Sequence, residues 1–217
     1  MRVSEKTLEL TICSQLTWVL APRRIAWTTP NPLHLNPQPL WFGLTQRQEA
    51  RSGFVAATRI GQGRLLLLQF KAGRRLQNGN IRYVAPHRQL MSLQRRLNNH
   101  RRLVFYVLPQ ITRTRELQGT NAWILATTWF LDVAAIPDLA PPARRSQAHN
   151  FTLNSKSGVV LIHSQPVEAP ATKATDLVDT FGWSSLGTKY PDFQKFWSYA
   201  KHIRHLGVAI ALPAGPA

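Results

Sequence analysis

Four consecutive leucines, Leu65–Leu68, follow the turn residues Gly61-Gln62-Gly63 and run into Gln69-Phe70-Lys71. A short, continuously apolar run bounded by turn signals predicts a strand that is central in its sheet and covered on both faces. Phe54–Ile60 on the other side of the turn completes a hairpin pattern, with glycine supplying the positive backbone angles. A helix is expected from about Pro86 to Asn99, with Leu90, Leu93 and Leu97 on its buried stripe and Arg88, Arg95 and Arg96 facing out. Leu103–Leu108 then reads as a third buried strand, parallel to the second because a helix separates them and such crossovers return right-handed. The predicted fold class is therefore α/β, a mixed central β-sheet flanked by helices.

Ser4 is placed to cap a first helix running to about Leu20, since Leu8, Ile12, Leu16 and Val19 recur at helical intervals. Five prolines between Pro22 and Pro39 make an ordered loop, within which Arg24–Trp27 can form a short strand. Thr45 and Gln48 have the spacing of a capping box and open a short helix ending near Gly53. Trp123–Val133 is rich in aromatic and β-branched residues and predicts a further strand whose leading half is open to a helical alternative. Pro137, Pro141, Pro142, Arg144 and Arg145 mark a linker, Gly158–His163 a late strand and Asp192–Leu206 a closing helix. The expected organisation is a core over residues 1–140 and an extension over 141–217 that packs on the core or on a protein partner.

Charge is the compositional outlier. The chain of 217 residues carries 27 Lys and Arg against 10 Asp and Glu, a net +17. Residues 23–102 hold fifteen basic side chains, mostly arginine, and one acid, Glu49. A field of this sign implies a polyanionic partner, most often nucleic acid. Residues 151–217 are close to neutral, with six basic and four acidic groups, and fit a protein-facing role. Arg59, Arg64, Arg74, Arg75, Arg82, Arg88, Arg95 and Arg96 flank the hairpin and the following helix and are the candidate phosphate contacts, because guanidinium forks suit phosphate oxygens. Trp18, Trp27, Trp41 and Tyr83 are candidates to stack on bases, although large aromatics at such places more often fill a core.

Gln69 and Lys71 lie two apart on the predicted central strand, so both side chains leave the sheet on one face. A lysine so placed can orient water beside a divalent cation and steady charge on a phosphate under attack. Alone, such a triplet reads more readily as an edge lysine snorkelling out of an apolar strand. The order of helix, hairpin, Gln-x-Lys strand, helix and parallel strand over residues 1–110 resembles the core of the PD-(D/E)XK, or restriction-endonuclease-like, nuclease superfamily. That group includes restriction enzymes, Holliday-junction resolvases and transposon end-cutting nucleases. The resemblance implies a Mg²⁺- or Mn²⁺-dependent DNA endonuclease. In it Glu49, Gln69 and Lys71 are catalytic, and Glu9, Glu49 and Gln69 hold the metal. Where the superfamily sets an aspartate on the second strand this chain has Val55, so either Glu49 with Glu9 or Glu5 supplies the missing charge, or the fold only binds. The alternative function is accordingly a non-catalytic DNA- or RNA-binding subunit of a larger complex.

Other chemistries find less support. His202 and His205 are three apart without a third ligand and extend a basic face more readily than they bind metal. His87 opens the predicted 86–99 helix and is placed to cap it or touch phosphate, whereas His163 in an apolar strand reads as a core histidine. Ser52, Ser146 and Ser164 lack a nucleophile elbow, and Gly61-Gln62-Gly63 is too short for a dinucleotide fingerprint. Cys13 is the only cysteine, which excludes an internal disulfide and fits a reducing, cytoplasmic setting. No apolar run is long enough to span a membrane, so no membrane partner is expected.

Overall fold

A computed structural model describes residues 1–20, 41–43, 56–60, 64–97, 103–118, 123–142, 147–179 and 188–189. The predicted strand at Arg24–Trp27, the short helix ending near Gly53, the closing helix Asp192–Leu206, and Glu49 and Val55 lie outside the described residues. Helix α1 spans Glu5–Leu20. Its first turn is capped by Ser4, whose Oγ accepts the Thr7 amide at 3.0 Å. Leu8, Ile12 and Leu16 form the expected stripe and are buried.

Strands β1 (Trp41–Gly43), β2 (Ala56–Ile60) and β3 (Arg64–Phe70) form an antiparallel meander. The chain then makes a hairpin of β4 (Arg74–Arg75) and β5 (Ile81–Pro86), enters helix α2 (His87–Leu97) and returns as β6 (Val104–Pro109) beside β3. β3 and β6 pair in parallel, with Leu67 opposite Val104 and Gln69 opposite Tyr106, as the crossover argument predicts. A 3₁₀ turn over Ile124–Thr127 precedes β7 (Thr128–Asp132), so the helical alternative holds for the leading half of that segment.

Three further strands, β8 (Ala148–Asn154), β9 (Val159–Ile162) and β10 (Val167–Lys173), complete a meander that the first residue of helix α2 and strand β5 adjoin. Among the described residues the sheet runs β1-β2-β3-β6-β7-β10-β9-β8-β5-β4, with β11 (Thr188–Lys189) pairing β3. Strand β10 is the corner. Its leading residues Val167–Pro170 pair with β9 and its trailing residues Ala171–Lys173 with β7. Pro170, which has no amide to donate, sits where the strand changes partners. The segment expected to pack as an extension therefore contributes strands within the sheet itself, between β7 and β5.

The pleat sorts the sheet's side chains into two cores. Leu66, Leu68, Phe70, Phe105, Val107 and Phe130 face α1, together with Ala174 and Leu177 of the short helix Ala174–Asp179. Leu67, Val104, Tyr106, Leu108 and Leu131 face the other way, onto Tyr83, Leu90, Leu93, Phe151 and Ile162. Leu65–Leu68 was expected to be covered on both faces, and Leu66 to Leu68 are. Each buried leucine contributes about 1.5–3 kcal/mol relative to exposure. Helices thus flank both faces of a mixed, curled sheet. The second core needs close approach at Gly73, where a Cβ would press on Ile81 Cγ2 and lie 2.7 Å from Tyr83 Cε1. Tyr83, a stacking candidate from sequence, is instead part of this core and donates its hydroxyl to the Pro109 carbonyl at 2.8 Å. No helix among the described residues is long and apolar enough to cross a membrane.

Candidate functional site

Gln69 is the penultimate residue of β3 and Lys71 follows its last, so the pleat turns both toward the core that holds Leu67 and Tyr106. Both are buried. Lys71 continues the pairing through its amide, which donates to the Val107 carbonyl at 3.1 Å. Its ammonium stands 6.0 Å from the centre of the Tyr106 ring, at the limit of a cation–π contact. Gln69 Nε2 donates to the Phe70 carbonyl at 3.1 Å. The Tyr106 hydroxyl is buried, and burial pushes its pKa well above the ordinary tyrosine range.

Glu9 lies on α1, which covers the opposite face. Its Oε1 pairs with Lys6 Nζ at 2.9 Å, and its Oε2 is buried with no hydrogen-bond partner among the described residues. Glu5, one turn earlier, accepts the Ala72 amide at 3.2 Å and so ties the helix to the residue after Lys71. The structure brings α1 to the end of β3 without bringing Glu9 and Gln69 to one face. Glu49 lies outside the described residues. Among those described, no group of three or more His, Cys, Asp or Glu side chains is spaced to hold a metal ion. Of the expected ligands, the two that are described lie on different elements, Glu9 on α1 over the core of Leu66, Leu68 and Phe70 and Gln69 on β3 in step with Leu67 of the other core.

The arginines fare differently. β5 alternates buried and exposed residues, with Ile81, Tyr83 and Ala85 inward and Arg82, Val84 and Pro86 outward. Arg74 on β4 is directly opposite Arg82 and is also exposed. Arg88 and Arg95 are exposed on α2, whose buried stripe is Leu90 and Leu93. Arg75 is exposed but spends one Nη2 hydrogen bond on the Gln110 carbonyl at 3.1 Å. Arg59, Arg64 and Arg96 belong to β2, β3 and α2. The single ion pair among the described residues is Lys6–Glu9, so no acid neutralises Arg74, Arg82, Arg88 or Arg95 there.

Compared with protein-family models, with curated proteins and with solved structures, the chain matches none.

Sequence reasoning missed a histidine network. His149, buried on β8, lies between His87 and Ser164, with Nε2 2.9 Å from His87 Nδ1 and Nδ1 2.5 Å from Ser164 Oγ. Burial first, and then the neighbouring His87, lower its pKa below the ordinary histidine value. The signal was present in Ala148–Asn154, where alternation sets His149 on one face with Phe151 and Leu153. His163, expected in a core, is exposed just past β9 and shares a 2.7 Å hydrogen bond with Thr152. Trp41, offered as a base-stacking residue, packs beside α1 and donates its indole N–H to Thr17 Oγ1 at 2.7 Å.

Proposed function

We propose that the chain is a nucleic-acid-binding protein that holds a phosphate backbone through exposed arginines. The observation that supports this best is the set Arg74, Arg82, Arg88 and Arg95, exposed and without an acidic partner among the described residues. Uncompensated arginine on a protein of net +17 is the electrostatic footprint of a polyanion site, and counterion release from phosphates supplies the binding free energy. Phosphate contacts position a protein without reading bases, so the expected binding is tolerant of sequence.

In this reading α1, the β2–β3 hairpin, α2 and β6 are a restriction-endonuclease-like core, with the β4–β5 hairpin inserted before α2 and β8–β10 built on as a second half-sheet. DNA is the expected form of nucleic acid. The non-catalytic subunit is favoured over the endonuclease, on the specific ground that Glu9 and Gln69 occupy opposite faces of the sheet. Cleavage would then rest on Glu49, with Glu5 beside the residue after Lys71, to gather a cation.

A plasmid assay in Mg²⁺ or Mn²⁺ separates the two. The expected result is salt-sensitive retention of intact plasmid. Cleavage by the wild type that Lys71→Ala abolishes would instead establish the endonuclease, and cleavage by Val55→Asp alone would identify a decayed site.

A further inference from the structure

The outer surface of the second half-sheet has no helix over it among the described residues, and its composition is unusual for a solvated sheet. Reading across the strands by register, one row runs Arg74, Arg82, Thr152, Leu161 and Glu168. The first two are like charges directly opposite one another on antiparallel strands, an arrangement that destabilises a sheet. Neither arginine forms an ion pair among the described residues. Glu168, the one acid of the row, stands three strands from Arg82, about 14 Å at about 4.8 Å per strand. That exceeds the Debye length of about 8 Å at physiological salt, so it offers little relief.

The neighbouring positions add hydrogen-bonding groups. Val84, next outward on β5, is 50% exposed and pairs with Asn150. The Thr152 hydroxyl bonds the exposed ring of His163 at 2.7 Å, holding that imidazole beside the arginine pair. An uncovered patch of two opposed guanidinium groups, an amide and a held imidazole complements one kind of occupant well: closely spaced anionic oxygens that are accepted in numbers and need no apolar pocket.

We infer that the outer face of β4, β5 and β8 is the seat of the nucleic-acid phosphate backbone, with Arg74 and Arg82 closing on it and Asn150 and His163 flanking them. This deepens the proposed function and rests on it. It also separates binding from the Gln-x-Lys strand end, since Gln69 and Lys71 point into the core on the sheet's inner side. The arginine pair opposes folding when the face is empty, and a bound phosphate relieves the repulsion.

The test is a fluorescence-anisotropy titration of the full chain with a labelled random-sequence DNA duplex over a salt series. It compares the wild type, Arg74→Gln/Arg82→Gln, Arg88→Gln/Arg95→Gln and Lys71→Ala, with a melting curve for each. For Arg74→Gln/Arg82→Gln the slope of log affinity against log salt should become shallower by about 1.8, two phosphate contacts at about 0.9 each, with a melting temperature equal to or above that of the wild type. Lys71→Ala should keep the wild-type slope. A wild type that binds duplex while Arg74→Gln/Arg82→Gln keeps its slope, or melts well below the wild type, overturns this inference and leaves the proposed function standing. A wild type that binds no duplex at low salt overturns both, and capture by phosphatidylserine vesicles in its place would assign the face to a lipid surface.

Discussion

His149 Nε2 lies 2.9 Å from His87 Nδ1, so a buried residue of β8 is hydrogen-bonded to the first residue of α2. The bond needs one hydrogen shared between two rings, which two imidazolium ions cannot supply because each would then present a donor. Burial first, and then His87, disfavour the proton on His149 in the folded chain. In the unfolded chain it takes up its proton near the ordinary value of about 6.5. The unfolded state therefore binds more protons just below that pH, and stability falls as pH drops from about 7 toward 5. Above it the contribution is complete. Urea unfolding at a series of pH values checks this, and His149→Phe should flatten the dependence in that window.

Gly73 is a site of contact rather than of turn chemistry. Gly73→Ala should destabilise the protein by about 1–3 kcal/mol, because its methyl would press on Ile81 and Tyr83 in a packed core. Equilibrium denaturation measures the loss, and Ala72→Gly beside it should cost no more than about 1 kcal/mol.

Tyr83, on β5, reaches across the core to the end of β6. Tyr83→Phe should remove the bond to the Pro109 carbonyl and cost about 1–2 kcal/mol with duplex affinity unchanged, since the ring is buried in the core. Denaturation and binding measured on one sample distinguish a core tyrosine from a stacking one.

Much of the first half of the fold was legible from pattern. Leu8, Ile12 and Leu16 recur at helical spacing over about two turns, Leu90 and Leu93 lie one helical step apart in α2, and the leucine run of β3 permits one environment. The missed strands have weaker signatures for physical reasons. In β5 the buried set Ile81, Tyr83 and Ala85 is three residues interleaved with Arg82 and Val84, directly before a helix. In β8 the inward set includes His149, and in β10 Pro170 reads as a breaker although it occupies a corner where no donor is required. Both elements owe their existence to long-range pairing, which single-strand propensity does not encode.

The candidate site divides in the same way. That Gln69 and Lys71 share a face follows from strand periodicity, and the Lys71 ammonium stands 6.0 Å from the centre of the Tyr106 ring on the side of Leu67. Which face α1 covers is a tertiary choice, so nothing in the spacing of Glu9 could separate it from Gln69. The like-charge pair Arg74 and Arg82 depended on a hairpin register seen only once β4 and β5 are paired.

Glu9→Gln follows from that placement. It should leave duplex affinity within about twofold, since the side chain is buried on the α1 face and bonds Lys6. The same anisotropy titration reads it, and a large loss of binding would place Glu9 at the interface after all.

The most direct measurement of the central claim is the salt dependence of wild-type affinity for random-sequence duplex. With Arg74, Arg82, Arg88 and Arg95 each meeting a phosphate, log affinity should fall against log salt with a slope of about −3.6 or steeper. A flat response, or affinity confined to one base sequence at every salt concentration, would contradict it.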